Sequence, residues 1–143
     1  MFKIVLVPID ISQTGMAAAT LSIARELAGP EDGRLILLNV IEALPAYVMG
    51  QIPGGIPEEA ASRAQSRLTQ MVEDHQLPHS TEIMVRHGHV PTAILEVARE
   101  TQADAIVMAS HDPEFADYLL GSVAARVVRH AHCSVLVVRH VNR

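Results

Sequence analysis

Hydrophobic runs of strand length alternate with segments of helical periodicity along most of this chain. The candidate strands cover residues 2–9, 34–41, 81–87, 105–109 and 134–138. The candidate helices cover residues 12–28, 58–75, 91–100 and 122–131. Ser12 is the predicted N-cap of the first helix. Because most of these strands are apolar at consecutive positions, the pattern predicts an α/β fold with an open, doubly wound, five-stranded parallel sheet and helices on both faces.

The third strand contains more polar residues than the others, which favours an edge position in the sheet. With right-handed crossovers, the predicted strand order is 3-2-1-4-5. In a sheet of this order, ligands bind beyond the carboxyl ends of the strands, in the crevice between strands one and four. Asp10 and the loop 110–122 are therefore expected to meet there, although they are far apart in the sequence.

Composition and charge limit the class of protein. The chain has 143 residues, of which 49% are hydrophobic and 19% charged, which predicts one domain over residues 1–143 and excludes a disordered chain. No apolar run approaches the roughly 20 residues of a membrane span, and the first residues resemble a buried strand more than a signal peptide. We therefore expect a soluble, cytoplasmic protein with no membrane partner. The single cysteine, Cys133, agrees with a reducing compartment, and the net charge of -5 without a basic cluster predicts no nucleic-acid partner.

The last third of the chain has the pattern of a phosphate-binding site. A strand, a short polar loop, the pair Gly121-Ser122 and a helix follow one another. Backbone N–H groups at the start of such a helix point at an anion. Gly121 lets the backbone approach a ligand closely, and Ser122 either caps the helix or donates its hydroxyl to a phosphate oxygen.

Several classes of phosphate-handling protein are excluded. The only lysine, Lys3, begins the first strand, at the opposite end of the sheet from the predicted crevice. A Walker-type hydrolase needs a Gly-Lys-Ser/Thr motif, which is absent from the sequence. Arg139 and His140 follow the fifth strand, where a receiver domain needs a lysine. Asp10 follows the first strand, where dinucleotide oxidoreductases have a glycine-rich turn.

Four blocks of sequence together resemble the universal stress protein family. They are Val7-Pro8-Ile9-Asp10, Gly88-His89-Val90-Pro91, Leu119-Leu120-Gly121-Ser122-Val123 and Val135-Leu136-Val137-Val138. The loop Ser110-His111-Asp112-Pro113 is similar to the short-loop, F/G-type branch of this family. The resemblance implies the 3-2-1-4-5 sheet, ATP or AMP bound between strands one and four, and a homodimer joined through the last strand. The dimer contacts would be Val135, Leu136, Val137 and Val138.

The resemblance also implies which residues contact the nucleotide. They are Pro8, Ile9, Asp10, Val40, Met108, Ala109, Ser110, His111, Gly121, Ser122 and Val123. Asp10 would form a hydrogen bond with the adenosine, and Val40 and Met108 would contact the adenine. Ser110 and His111 would lie near the ribose or the phosphates, and the start of the fourth helix would bind the phosphates.

The chain departs from the family's ATP motif in three ways. Ala109 and Asp112 stand where the motif has glycines, and the segment from Asp112 to Gly121 is one residue shorter than in the motif. Ala109 restricts close backbone approach, and Asp112 adds a negative charge beside a polyanion. Nucleotide binding is still expected for the F/G-type branch, and a Mg2+ ion that bridges Asp112 to the phosphates would compensate for this charge.

Three functional hypotheses remain open from the sequence. The first is a homodimeric stress-response module whose nucleotide occupancy changes which protein partner it binds. The second is a ligand-free dimeric scaffold, and the third is slow ATP hydrolysis or autophosphorylation. No catalytic residue is predicted, because Ser110, His111 and Asp112 are adjacent on one loop, whereas a catalytic triad is assembled from separate elements.

Overall fold

A computed structural model of the chain describes residues 2–12, 14–29, 32–42, 56–110 and 121–139. Its strands are β1 (Ile4–Pro8), β2 (Arg34–Glu42), β3 (Glu82–Gly88), β4 (Ala105–Ala109) and β5 (Ser134–Val138). Its helices are α1 (Ala17–Ala28), α2 (Ile56–Asp74), α3 (Val90–Thr101) and α4 (Ser122–His130). Strands and helices alternate along the chain, as the hydrophobic pattern predicts.

The strands form one parallel sheet with the order β3-β2-β1-β4-β5. β1 is central, since Val5 pairs with Leu35 of β2 on one side and with Ala105 of β4 on the other. Within the described ranges β3 pairs only with β2, so the more polar third strand lies at an edge. The predicted fold class and strand order are confirmed.

Helices cover both faces of the sheet because the central strands are apolar on both sides. Successive side chains of a strand point to opposite faces. Val5 and Val7 belong to the core layer that contains α1 and α2, whereas Leu6 belongs to the layer that contains α3 and α4. All three side chains are fully buried. Each such burial stabilises the fold by about 1.5–3 kcal/mol, so β1 anchors the helices on both faces.

Side chains connect the amino-terminal ends of the strands. The carboxylate of Asp104, which precedes β4, accepts hydrogen bonds from the backbone N–H groups of Lys3 at 3.0 Å and Ile4 at 2.8 Å. Arg34 at the start of β2 donates two hydrogen bonds to the Glu82 carboxylate at the start of β3, each 2.8 Å long. Chiefly through these hydrogen bonds, Arg34 holds the pKa of Glu82 below its ordinary value. This amino-terminal edge is therefore closed by paired polar groups.

The helix start that differs most from the sequence prediction is that of α1. α1 has Met16 at its N-cap, so the prediction that Ser12 caps this helix is wrong. The amide and the hydroxyl of Ser12 instead both donate to one carboxylate oxygen of Asp10, which closes a turn directly after β1 and delays the helix. α4 begins at Ser122, as predicted, with Gly121 at its N-cap.

The helix α2 is the longest, with 19 residues, and it is amphipathic. Its buried stripe consists of Ala64, Leu68, Met71 and Val72. The positions between them are exposed and mostly polar. Neither α2 nor any other helix within the described ranges is long and apolar enough to cross a membrane.

Candidate functional site

A cleft opens at the carboxyl-terminal edge of the sheet, above the ends of β1 and β4. Its volume is about 430 Å³. Its described lining consists of Pro8, Ile9, Asp10, Ser12, Met16, Ala17, Thr20, Leu38, Asn39, Val40, Glu42, Val90, Ile94, Met108, Ala109, Gly121, Val123 and Ala124. The lining includes these residues predicted from the sequence: Pro8, Ile9, Asp10, Val40, Met108, Ala109, Gly121 and Val123. They meet at one place in the fold, and their contact with a nucleotide stays a prediction.

The remaining predicted residues are not part of this lining. Ser110 is half-buried at the end of β4, where its N–H group donates to the carbonyl of Val138 at 2.9 Å. Ser122 is exposed at the start of α4. His111 and Asp112 lie outside the described residues, so the ribose or phosphate contact and the Mg2+ ligand predicted for them are untested.

The position of the cleft follows from the direction in which the chain leaves the sheet. After β1 the chain continues to α1 on one face, and after β4 it continues to α4 on the other face. Because these two helices lie on opposite faces, a crevice forms between the neighbouring strand ends, which is where ligands bind in doubly wound sheets. Residues from the two halves of the sequence therefore converge on this crevice.

A short turn after β1 presents the Asp10 carboxylate at the cleft. Its Oδ1 atom accepts hydrogen bonds from the N–H group of Ser12 at 3.0 Å and from the Ser12 hydroxyl at 2.5 Å. Within the described residues Oδ2 has no protein partner, and the side chain is exposed. The turn fixes one carboxylate oxygen and leaves the other available to accept a hydrogen bond from a ligand hydroxyl.

The buried side chain of Asn39 supports this turn from the neighbouring strand. Its amide Nδ2 donates to the backbone carbonyl of Ile9 at 2.8 Å, and only 5% of the residue is exposed. The N–H group of Ile9 donates to the carbonyl of Leu38 at 2.7 Å, so both polar groups of Ile9 are held by β2. Asn39 was missed from the sequence, where the available signal was an amide side chain inside an otherwise apolar strand.

The start of α4 supplies hydrogen-bond donors at the opposite side of the cleft. The first backbone hydrogen bond of this helix joins the N–H group of Ala125 to the carbonyl of Gly121, at 2.9 Å. The N–H groups of Ser122, Val123 and Ala124 consequently have no acceptor within the helix. No side chain of the described residues caps this end. Since Gly121, Val123 and Ala124 line the cleft, these donors can bind an anion placed in it.

Aliphatic side chains form the walls between these two polar ends. Leu38, Ile94 and Met108 are at most 4% exposed and belong to the core layer of α3 and α4. Val40 is half-buried beside them at the end of β2. The described lining contains no aromatic side chain, so a flat apolar ring would be held by aliphatic contacts on both faces. Ile94 was not predicted as a site residue, because an apolar residue at helical spacing is typical of a core position.

The charges of the lining are all negative. Asp10 and Glu42 are its only ionisable side chains, and the described lining includes no Lys, Arg or His. Glu42 is exposed at the carboxyl end of β2, at the mouth of the cleft. Within the described lining, the positive potential therefore comes from backbone N–H groups and the α4 dipole, which is equivalent to roughly half an elementary charge.

The predicted dimer contacts lie on the edge strand β5. In the described part of the chain β5 pairs only with β4, so its other edge lacks a partner strand. Leu136 is 41% exposed, whereas Val138 is 9% exposed on the same face. Val135 and Val137 are half-buried on the opposite face.

A model of the universal stress protein family matches residues 1–139 of this chain. The chain belongs to the universal stress protein family. It is 32% identical over 143 residues to universal stress protein G of Shigella flexneri, and the alignment covers 97% of this chain and 100% of that protein. The family predicted from the four sequence blocks is thereby confirmed.

Solved structures have the same fold. Hypothetical protein MJ0577 is 23% identical with a TM-score of 0.82, and the match covers 100% of this chain and 99% of that chain. A universal stress protein solved in complex with cAMP is 21% identical with a TM-score of 0.70, covering 99% of each chain. One from Archaeoglobus fulgidus, solved in complex with dAMP, is 22% identical with a TM-score of 0.60, covering 94% of this chain and 96% of that chain.

Proposed function

We propose that residues 1–143 form one nucleotide-binding domain that holds an adenine nucleotide in the cleft between β1 and β4. The observation that carries this proposal is the convergence of three groups on one cleft: the Asp10 carboxylate, an aliphatic slot and the unpaired N–H groups of α4. Each group matches one part of a nucleotide. The cAMP and dAMP complexes of structural neighbours support an adenine nucleotide as the ligand.

The base and the ribose fit the β1 and β2 side of the cleft. Adenine lies between aliphatic side chains, with Val40 and Met108 as its nearest walls. A ribose hydroxyl donates to Oδ2 of Asp10, the oxygen that Ser12 leaves unoccupied. A hydrogen bond to a charged acceptor contributes about 1.5–3 kcal/mol, so this contact would give a large share of the nucleoside affinity.

The phosphate fits the start of α4. An anion there accepts hydrogen bonds from N–H groups that have no partner among the described residues, and it interacts favourably with the positive end of the helix dipole. Gly121 has no side chain that would separate the phosphate from these donors. When ATP is the ligand, Mg2+ would accompany it and Asp112 is the candidate ligand of that ion.

A proline substitution at Ser122, the first residue of α4, tests the phosphate contact. Ser122→Pro removes one N–H donor at the position where proline is best tolerated in a helix, because that N–H has no helical acceptor. The AMP affinity should fall roughly tenfold, because a hydrogen bond to a charged group is lost, while the adenosine affinity stays unchanged. Titration calorimetry measures both affinities.

Ser122→Ala is the matched control for this substitution. It removes the hydroxyl and keeps the N–H group, so AMP affinity should be largely retained. Equal AMP affinity in wild type and Ser122→Pro would contradict phosphate binding at α4. If wild-type protein binds neither AMP nor adenosine, and neither raises its melting temperature, the nucleotide proposal fails and a ligand-free scaffold is favoured.

The proposed biological role is that of a homodimeric stress-response module, in the cytoplasm, whose nucleotide occupancy controls the binding of a protein partner. The unpaired edge of β5 and the exposed Leu136 support a dimer joined through this strand.

A substitution on β5 tests this dimer. In sedimentation experiments the wild-type protein should be a dimer and the Leu136→Asp variant a monomer. Val128→Asp is the control, since Val128 is 46% exposed but lies on α4. A wild-type monomer at micromolar concentration would contradict this assembly.

A further inference from the structure

The lining of the cleft has an unusual charge balance for a site proposed to bind an anion. Asp10 and Glu42 both contribute carboxylates, one at the end of β1 and one at the end of β2. The described lining contains no cationic side chain that would offset them. A ligand therefore meets two negative charges on the β1 and β2 side, and only backbone donors on the α4 side.

Two arginines of the described residues pair with carboxylates, and two other cationic side chains lie outside the cleft lining. Arg34 is paired with Glu82 at 2.8 Å, and Arg86 with Glu100 at 3.1 Å. The single lysine begins the chain at the amino-terminal edge, away from the cleft. Arg126 lies on the exposed side of α4 and is not part of the cleft lining.

The anion-binding capacity of the cleft is correspondingly small. Three unpaired N–H groups and a helix dipole of roughly half a charge suit one phosphate group. A second or third phosphate would add negative charge to a cleft whose described lining contains two carboxylates and no cationic side chain.

We infer that this cleft selects nucleotides by charge and takes a nucleoside monophosphate in preference to metal-free di- or triphosphates. The inference rests on the proposed function and specifies its ligand class. Asp10 accepts a hydrogen bond from the neutral ribose, whereas Glu42 acts through repulsion and disfavours additional phosphate charge. A divalent cation that neutralises the polyphosphate removes most of this discrimination.

Titrations with adenosine, AMP, ADP and ATP in EDTA at low ionic strength test the inference. The expected order of affinity is AMP, then ADP, then ATP, with AMP roughly tenfold tighter than ATP, because two added charges interact unfavourably with nearby carboxylates. Salt at 0.15 M should reduce the ratio of AMP affinity to ATP affinity, since the Debye length shortens to about 8 Å. Mg2+ should raise the ATP affinity and leave the AMP affinity nearly unchanged.

Glu42→Gln identifies the residue responsible. It should raise the affinity for metal-free ATP several-fold relative to AMP. Glu96→Gln is the matched control, because Glu96 is an exposed carboxylate of α3 outside the cleft lining.

The outcomes separate this inference from the proposed function. Metal-free ATP that binds as tightly as AMP would overturn the charge selection while the nucleotide site stands. An unchanged AMP to ATP ratio in Glu42→Gln would overturn the role of Glu42. Failure of both adenosine and AMP to bind the wild-type protein would instead overturn the proposed function itself.

Discussion

The polar groups at the two edges of the sheet differ in whether the protein itself supplies their hydrogen-bond partners. At the amino-terminal edge, Asp104 accepts two backbone hydrogen bonds from β1, and Arg34 and Glu82 form a two-point ion pair. At the carboxyl-terminal edge, Oδ2 of Asp10 and the first N–H groups of α4 have no protein partner within the described residues. One edge is completed by the chain, and the other leaves donors and an acceptor that a ligand can use.

In this parallel sheet, the polar residues that stabilise the fold and those available to bind a ligand lie at opposite edges. All strands end at the same edge, so polar groups left unpaired there are concentrated around one crevice. These groups remain hydrated without a ligand, so leaving them unpaired costs little. Substitutions at the amino-terminal edge should therefore change the free energy of unfolding, and substitutions at the carboxyl-terminal edge should change affinity.

The largest expected effect is at Gly33, in the turn before β2. A Cβ atom at this position would lie 1.6 Å from the backbone carbonyl oxygen of Ala28, which forces the end of α1 to move. Gly33→Ala should lower the free energy of unfolding by about 3 kcal/mol in urea titrations. Gly15→Ala is the control, since a Cβ atom there meets nothing within 4 Å. Equal stability of the two variants would contradict this prediction.

A smaller loss of stability is expected at Asp104. Asp104→Ala removes the acceptor of the Lys3 and Ile4 N–H groups, which should lower the free energy of unfolding by about 2 kcal/mol. AMP affinity should not change, because these bonds lie at the opposite edge from the cleft. Asp32→Ala, at another exposed aspartate of this edge, should have little effect on either quantity. A loss of affinity in folded Asp104→Ala would break the separation between the two edges.

At the carboxyl-terminal edge, Asp10→Ala should lower ligand affinity and change the free energy of unfolding little. The affinities for adenosine and AMP should both fall roughly tenfold, because both ligands lose the ribose contact, and stability should change by at most about 1 kcal/mol. Ser12→Ala keeps the carboxylate and removes only the hydroxyl bond to Oδ1, so it should weaken binding less. Unchanged adenosine affinity in Asp10→Ala, measured by calorimetry, would exclude Asp10 as the ribose acceptor.

The smallest effect is expected for Glu82→Gln, which removes an exposed ion pair. Because the pKa of folded Glu82 is lowered from its ordinary value of 4.5, its contribution is present above that value and is lost as the pH falls through the lowered pKa. The variant should melt slightly below the wild type at pH 7, and the difference should disappear in acid. A difference that grows on acidification would contradict the assignment.

Local patterns in the sequence determined much of this protein. The bounds of β4 and β5 and the first residue of α4 agree with the prediction, and the polar third strand lies at the sheet edge. The strand order and the position of the cleft follow from the alternation of strands and helices with right-handed crossovers. Asp10 and Gly121 were predicted from their places after β1 and before α4, and Met108 from the family resemblance; all three line the cleft.

Tertiary structure alone decided the finer arrangement of the site. The Asp10–Ser12 turn is the local exception: Ser12 bonds to a side chain two residues before it, this turn competes with helix initiation, and Met16 becomes the N-cap. Asn39 and Glu42 became part of the site only through the pairing of β2 with β1. The residues that face a crevice depend on which elements lie next to one another across it, and a local pattern of polar and apolar positions does not contain that information.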